Sequence, residues 1–147
     1  MGYQAKKMLI AKHTTSINER WMWHGTTSDN ALQIMTRGFE RGYSTIQQYG
    51  RGTYFHQDTS YSWDYARKDV VVSDTNQQNQ RVIILSRVLQ GKAQLGSPAK
   101  THTDLRDDGT GHRYDSFSNQ ADNIVVLADG SDSQAFPEFM LRFRRQL

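Results

Sequence analysis

Two short motifs constrain this chain more than any other feature: Trp23-His24-Gly25-Thr26 and Tyr49-Gly50-Arg51-Gly52-Thr53-Tyr54-Phe55, with a helix-like segment between them. Each sets a histidine or tyrosine beside glycine at the end of an apolar stretch. Histidine supplies a directional hydrogen bond, glycine lets a ligand approach the main chain, and tyrosine offers a flat face. The pair predicts a cleft that grips a polar aromatic molecule.

At 147 residues the chain is long enough for one core, burying roughly two thirds of its unfolded surface. The formal charge of +3 gives a mildly basic surface that favours anionic ligands, and Arg142, Arg144 and Arg145 read as a solvated face. With no cysteine, disulfide and thiol chemistry are excluded and the redox compartment is not legible. Residues 1–12 lack a sustained apolar core and carry Lys6, Lys7 and Lys12, which is not the pattern of a signal peptide. No run reaches the length of a membrane span. The expectation is a monomer inside the cell, cytoplasmic or nuclear, without membrane contact.

The pattern along the chain is α+β. Residues 3–11 have helix-compatible spacing, and 21–23 read as a short strand delivering His24. Residues 30–35 read as a helix whose apolar face is Ala31, Leu32, Ile34 and Met35, capped by Ser28 or Asp29 and closed by Gly38. A second short helix is expected near Asp58, holding Tyr61, Trp63 and Tyr65. Strands are predicted over 81–89, 124–128 and 139–143, with surface loops over 73–80 and 97–123. His13, His56, His102 and His112 lack metal-ligand spacing with carboxylate partners, so no metal site is predicted.

The two motifs belong to an ordered series: Asn18-Glu19-Arg20, His24-Gly25-Thr26, Gly38-Phe39, Tyr54-Phe55, Tyr61-Ser62, Arg87-Val88-Leu89-Gln90-Gly91, Tyr114-Asp115-Ser116 and Gln134-Ala135-Phe136-Pro137-Glu138-Phe139. In this series the chain resembles the poly(ADP-ribose) polymerase catalytic domain, a diphtheria-toxin-like ADP-ribosyltransferase. The resemblance implies an ADP-ribosyltransferase fold: two packed, mostly antiparallel sheets with short flanking helices around an NAD cleft, in one domain over 1–147 without a regulatory helical subdomain. It implies that His24 bonds the adenine-side ribose of NAD, that the Gly25 backbone holds the nicotinamide amide, and that Thr26 lines the ribose edge. Tyr61 would stack on the nicotinamide ring with Tyr54 on the other side of the nucleotide, and Ser62 would bond the carboxamide. Residues 40–48 take the place of the lid, and Glu138 reads as structural.

One family position departs from the pattern. Chain-elongating members carry a glutamate on the strand before the final motif, and here that position is Ile124, with Asn123 or Val126 as alternatives. None is a glutamate. The resemblance is therefore to members that transfer single ADP-ribose units from NAD, with a protein or nucleic-acid acceptor. The rival reading is a catalytically silent NAD- or ADP-ribose-binding module. An RNA 2'-phosphotransferase, of related fold, would need basic catalytic residues around the cleft that the sequence does not display.

Overall fold

The computed structural model describes residues 2–39, 47–58, 80–128 and 131–144. Its elements are α1 (Tyr3–Ala11), β1 (Glu19–Thr26), α2 (Ser28–Arg37), β2 (Gly52–His56), β3 (Gln80–Leu89), β4 (Ala93–Leu95), β5 (Ser116–Ser118), β6 (Ile124–Ala128), a 3-10 turn (Asp132–Gln134) and β7 (Ala135–Arg144). The expected helix over 58–65, the loop over 73–79 and most of the expected lid lie outside the described residues.

The strands form one hydrogen-bonded series, β4-β5-β6-β2-β1-β3-β7, antiparallel except for β4 beside β5. In place of the expected two packed sheets, the described strands form one seven-stranded sheet with two halves, because β1 and β2 still pair at the join. On one side β1 pairs β3 continuously from Glu19↔Leu89 to Thr26↔Val82. On the other, β2 pairs β6 from Gly52↔Ala128 to His56↔Ile124. The halves meet at a single register pair, Trp23↔His56.

Alternation along each strand divides the apolar residues between two faces. Met22, Phe55, Val82, Ile84, Val125 and Leu127 pack with Ala31 and Ile34 of α2 and with Phe39. Tyr54, Phe117, Ile124 and Val126 form a second cluster, and Tyr3 and Ile10 of α1 close over Leu89. Met22 and Phe55 are fully buried, each contributing roughly 1.5–3 kcal/mol through removal from water.

Several element boundaries correct the sequence reading. The α2 cap is Thr27, whose side chain accepts from the Asn30 backbone N–H at 3.2 Å, not Ser28 or Asp29, which lie inside the helix. Leu32 is exposed rather than part of the apolar face. β7 begins at Ala135, and Pro137 is tolerated because β7 is, among the described residues, an edge strand with a register shift at Leu85/Ser86. The expected loop over 97–123 contains β5 and an antiparallel bridge, Leu105↔Arg113. Among the described residues, no helix is long and apolar enough to cross a membrane.

Candidate active site

The seam between the halves opens at one end and is stapled at the other. At the closed end the Arg20 guanidinium donates to Gln57 Oε1 at 2.9 Å and to Asp122 Oδ1 and Gln90 Oε1 at 3.2 Å each. One side chain of β1 thereby holds the end of β2, the turn entering β6 and the end of β3. Beyond Trp23↔His56, β1 continues through His24, Gly25 and Thr26 against β3 alone.

His24 spans the opening. Its Nδ1 lies 2.8 Å from the Tyr54 carbonyl oxygen on β2, and its ring packs against Phe39 edge-on at 5.2 Å and Phe55 at 5.5 Å. A carbonyl only accepts, so Nδ1 carries the proton. Burial among these rings lowers the His24 pKa, and the Tyr54 carbonyl opposes that shift. A neutral ring with its proton on Nδ1 leaves Nε2 as an acceptor. The ring is only partly buried, so an edge remains accessible to a hydroxyl donor.

Tyr54 contributes its main chain more than its ring face. The side chain is 2% exposed; its hydroxyl donates to the Gly50 carbonyl at 2.5 Å and accepts from the Tyr49 N–H at 3.0 Å. These bonds fold the Tyr49-Gly50 turn back onto β2. Gly52 is required there because a Cβ would run into the Leu127 carbonyl of β6. Gly25 and Thr26 are buried on β1. Tyr61 and Ser62 lie outside the described residues.

The three candidates for the third position have different surroundings. Val126 sits opposite Tyr54 and is fully buried. Asn123 precedes β6 and is engaged with Asn119, whose amide donates to Asn123 Oδ1 at 2.6 Å and whose Oδ1 accepts from the Asn123 N–H at 3.0 Å. Ile124 opens β6 opposite His56, in the Tyr54 cluster. His56 is buried, and its pKa is pushed down to about 4, first by burial and then by His24.

The remaining motifs converge on a polar hub at the far end of β1. Asn18 donates to the Gly91 carbonyl at 3.2 Å, and the Gln90 N–H donates to the Asn18 carbonyl at 3.1 Å. Ser116 Oγ donates to the Gln90 carbonyl at 2.7 Å, and Gln134 Nε2 to the Leu89 and Asp115 carbonyls at 3.2 and 2.8 Å. Asp115 accepts from Arg106 at 2.8 Å. Gly91, at φ +59°, has no room for a Cβ beside that carboxylate. Motifs that support the resemblance therefore do not all line the opening; Gln90, Gly91, Asp115 and Gln134 hold the scaffold. Glu138 likewise pairs with Arg87 at 2.5 Å. Among the described residues, no group of three or more histidines or carboxylates could hold a metal ion.

Comparison with known proteins places this geometry in context. The chain is 29% identical to human protein mono-ADP-ribosyltransferase PARP14 over 98% of its own length and 8% of that protein's. It is 24% identical to mouse protein mono-ADP-ribosyltransferase PARP12 over 96% of its length and 19% of that protein's, and 28% identical to a probable poly [ADP-ribose] polymerase of Dictyostelium discoideum over 98% and 40%. The chain thus spans well under half the length of each of these relatives. Its residues 3–136 match the family model described as the poly(ADP-ribose) polymerase catalytic domain, and with His24 bonded across the join of the sheet halves, the chain belongs to that family.

Proposed function

We propose that this domain transfers single ADP-ribose units from NAD to an acceptor, releasing nicotinamide. The observation that carries this reading is the bond between His24 Nδ1 and the Tyr54 carbonyl. It fixes the ring so that Nε2 accepts from a ribose hydroxyl of NAD. Gly25 and Thr26 supply the neighbouring edge of β1, and Tyr61 and Ser62 are assigned the nicotinamide ring and its carboxamide.

The bond from nicotinamide to ribose breaks with oxocarbenium character on the ribose carbon. A cleft that fixes the leaving group and holds the ribose by its hydroxyls lowers that barrier through positioning. An acceptor oxygen or nitrogen then bonds the carbon and gives up its proton. A protein side chain is the leading acceptor and a nucleic-acid group the second. At the third position Ile124 offers only hydrocarbon, which cannot polarise the hydroxyl of an attached unit. Transfer therefore stops after one unit.

The same apolar residue favours the rival reading, a module that binds NAD or ADP-ribose without chemistry. Incubation with NAD labelled in its adenosine half, following free nicotinamide and covalent label together, separates the two. Single ADP-ribose adducts by mass spectrometry are the expected result. Poly(ADP-ribose) chains would overturn the role given to Ile124, and bound NAD with neither product would establish the silent module. Tyr61→Ala tests the ring assignment: unchanged NAD affinity would remove Tyr61 from the site.

A further inference from the structure

The chain leaves α2 at Gly38, whose N–H donates to the Ile34 carbonyl at 2.7 Å, and the next residue, Phe39, is 4% exposed. Its ring stands at 84° to His24 with centroids 5.2 Å apart, and at 73° to Phe55 with centroids 5.0 Å apart. Phe55 lies 5.5 Å from His24, so each of the three rings packs on the other two. Phe39 also lines a surface groove of about 460 Å³ with Met35, Arg37, Phe136 and Pro137, roomy enough for water. One phenyl ring thus borders both the groove and the imidazole.

We infer that Phe39 is a positioning residue of the NAD site: it pins the His24 ring against the Tyr54 carbonyl and keeps groove water off it, so that Nε2 stays an acceptor. The hydrogen bond from Nδ1 fixes one atom of the ring, whereas two aromatic walls fix its plane. Dryness matters because burial disfavours the charged imidazolium, and burial is what lowers the His24 pKa. Among the described residues, the groups around His24 are few. The Tyr54 carbonyl on β2 favours the proton, and His56 on the same strand is buried, its own pKa pushed down by burial and then by His24. β3 places Ile84 opposite, and Arg37 lies on the groove side of Phe39.

This inference rests on the reading of Nε2 as the acceptor for a ribose hydroxyl, and its test separates the two. NMR titration of the His24 ring protons without NAD, assigned against His24→Ala, reads the ring directly. Phe39→Ala opens the ring to the groove, so the His24 midpoint should rise; Phe39→Leu, which refills the space with hydrocarbon, should return it toward the wild-type value. NAD affinity should follow, with Phe39→Ala at least about fivefold weaker than wild type at pH 5.5 and less than about twofold weaker at pH 8, where both rings are neutral. A residue that merely fills the core would lower affinity alike at both pH values. Phe39→Val, a smaller truncation within the apolar cluster, carries the same test if Phe39→Ala does not fold by circular dichroism. An unmoved midpoint in the folded truncation would overturn the inference. A midpoint that rises while NAD affinity keeps the wild-type pH profile would establish the hold of Phe39 on the ring and overturn the role given to Nε2.

Discussion

The open end of the seam and the hub around Asp115 use similar residues for opposite purposes. At the seam, His24 carries one bond to a backbone carbonyl and keeps a second polar atom for a visitor. In the hub, Asp115 receives the Arg106 guanidinium at 2.8 Å and the Lys92 N–H at 2.8 Å while its carbonyl takes the Gln134 amide. Its polar groups are consumed internally. A site keeps a partly exposed polar atom for a ligand; a scaffold uses its polar atoms up.

The contrast is most severely tested by Asp115→Ala, which removes the carboxylate partner of the Arg106 side chain, 2% exposed, and leaves it only the His13 and Arg113 carbonyls. Breaking a buried pair from one side costs about 3–5 kcal/mol, so urea denaturation should show a stability loss of that order. Nicotinamide release per folded molecule should hold constant. If activity is lost while stability is kept, the hub belongs to the site after all.

Acid pH probes the other side. His56 titrates at about 4 in the folded chain against about 6.5 when unfolded, so between these values the unfolded state binds the extra proton. Its contribution is intact above pH 6.5 and is lost as pH falls toward 4, by on the order of 3 kcal/mol. Urea midpoints for wild type and His56→Phe, compared at pH 7 and pH 4.5, isolate this part from the carboxylates. Parallel pH profiles would refute it.

His24→Ala is expected to reduce transfer or NAD binding by roughly 1–3 kcal/mol of lost hydrogen bonding in a desolvated site, about tenfold to a hundredfold in the measured constant. A variant that transfers normally with an unchanged circular dichroism spectrum would dissociate His24 from the chemistry. The smallest effect is Thr27→Ala, which removes the α2 cap and should cost about 1 kcal/mol. Thermal denaturation should register it with catalysis nearly unchanged, since the substitution removes a helix cap and none of the side chains assigned to NAD. A stability unchanged by Thr27→Ala would deny that cap its role.

Much of the fold is legible where local chemistry is strong. Ile124–Ala128 is a run of apolar, mostly β-branched residues and appears as β6 with the expected bounds; Tyr3–Ala11 likewise appears as α1. The three-residue strands β4 and β5 are illegible because so short a segment carries no periodicity, and their parallel pairing joins residues far apart in sequence. β1 reaches back to Glu19 through charged residues whose partners, Tyr3 and Lys7 for Glu19 and Gln57 and Asp122 for Arg20, come from elsewhere in the fold. For the site, His24 is readable from its glycine neighbour. Its dependence on the Tyr54 carbonyl is not, because a main-chain oxygen has no sequence signature. Nor does the motif reveal that the Tyr54 hydroxyl is engaged by its own turn.

The single pair at Trp23↔His56 has a consequence for engineering. Trp23 adjoins His24 in the chain, and buried His56 lies two residues from Tyr54 and feels the charge of His24, so a substitution at the join acts on the site as well as on the sheet. Redesign of the join and redesign of the His24 chemistry are therefore one problem, to be solved together.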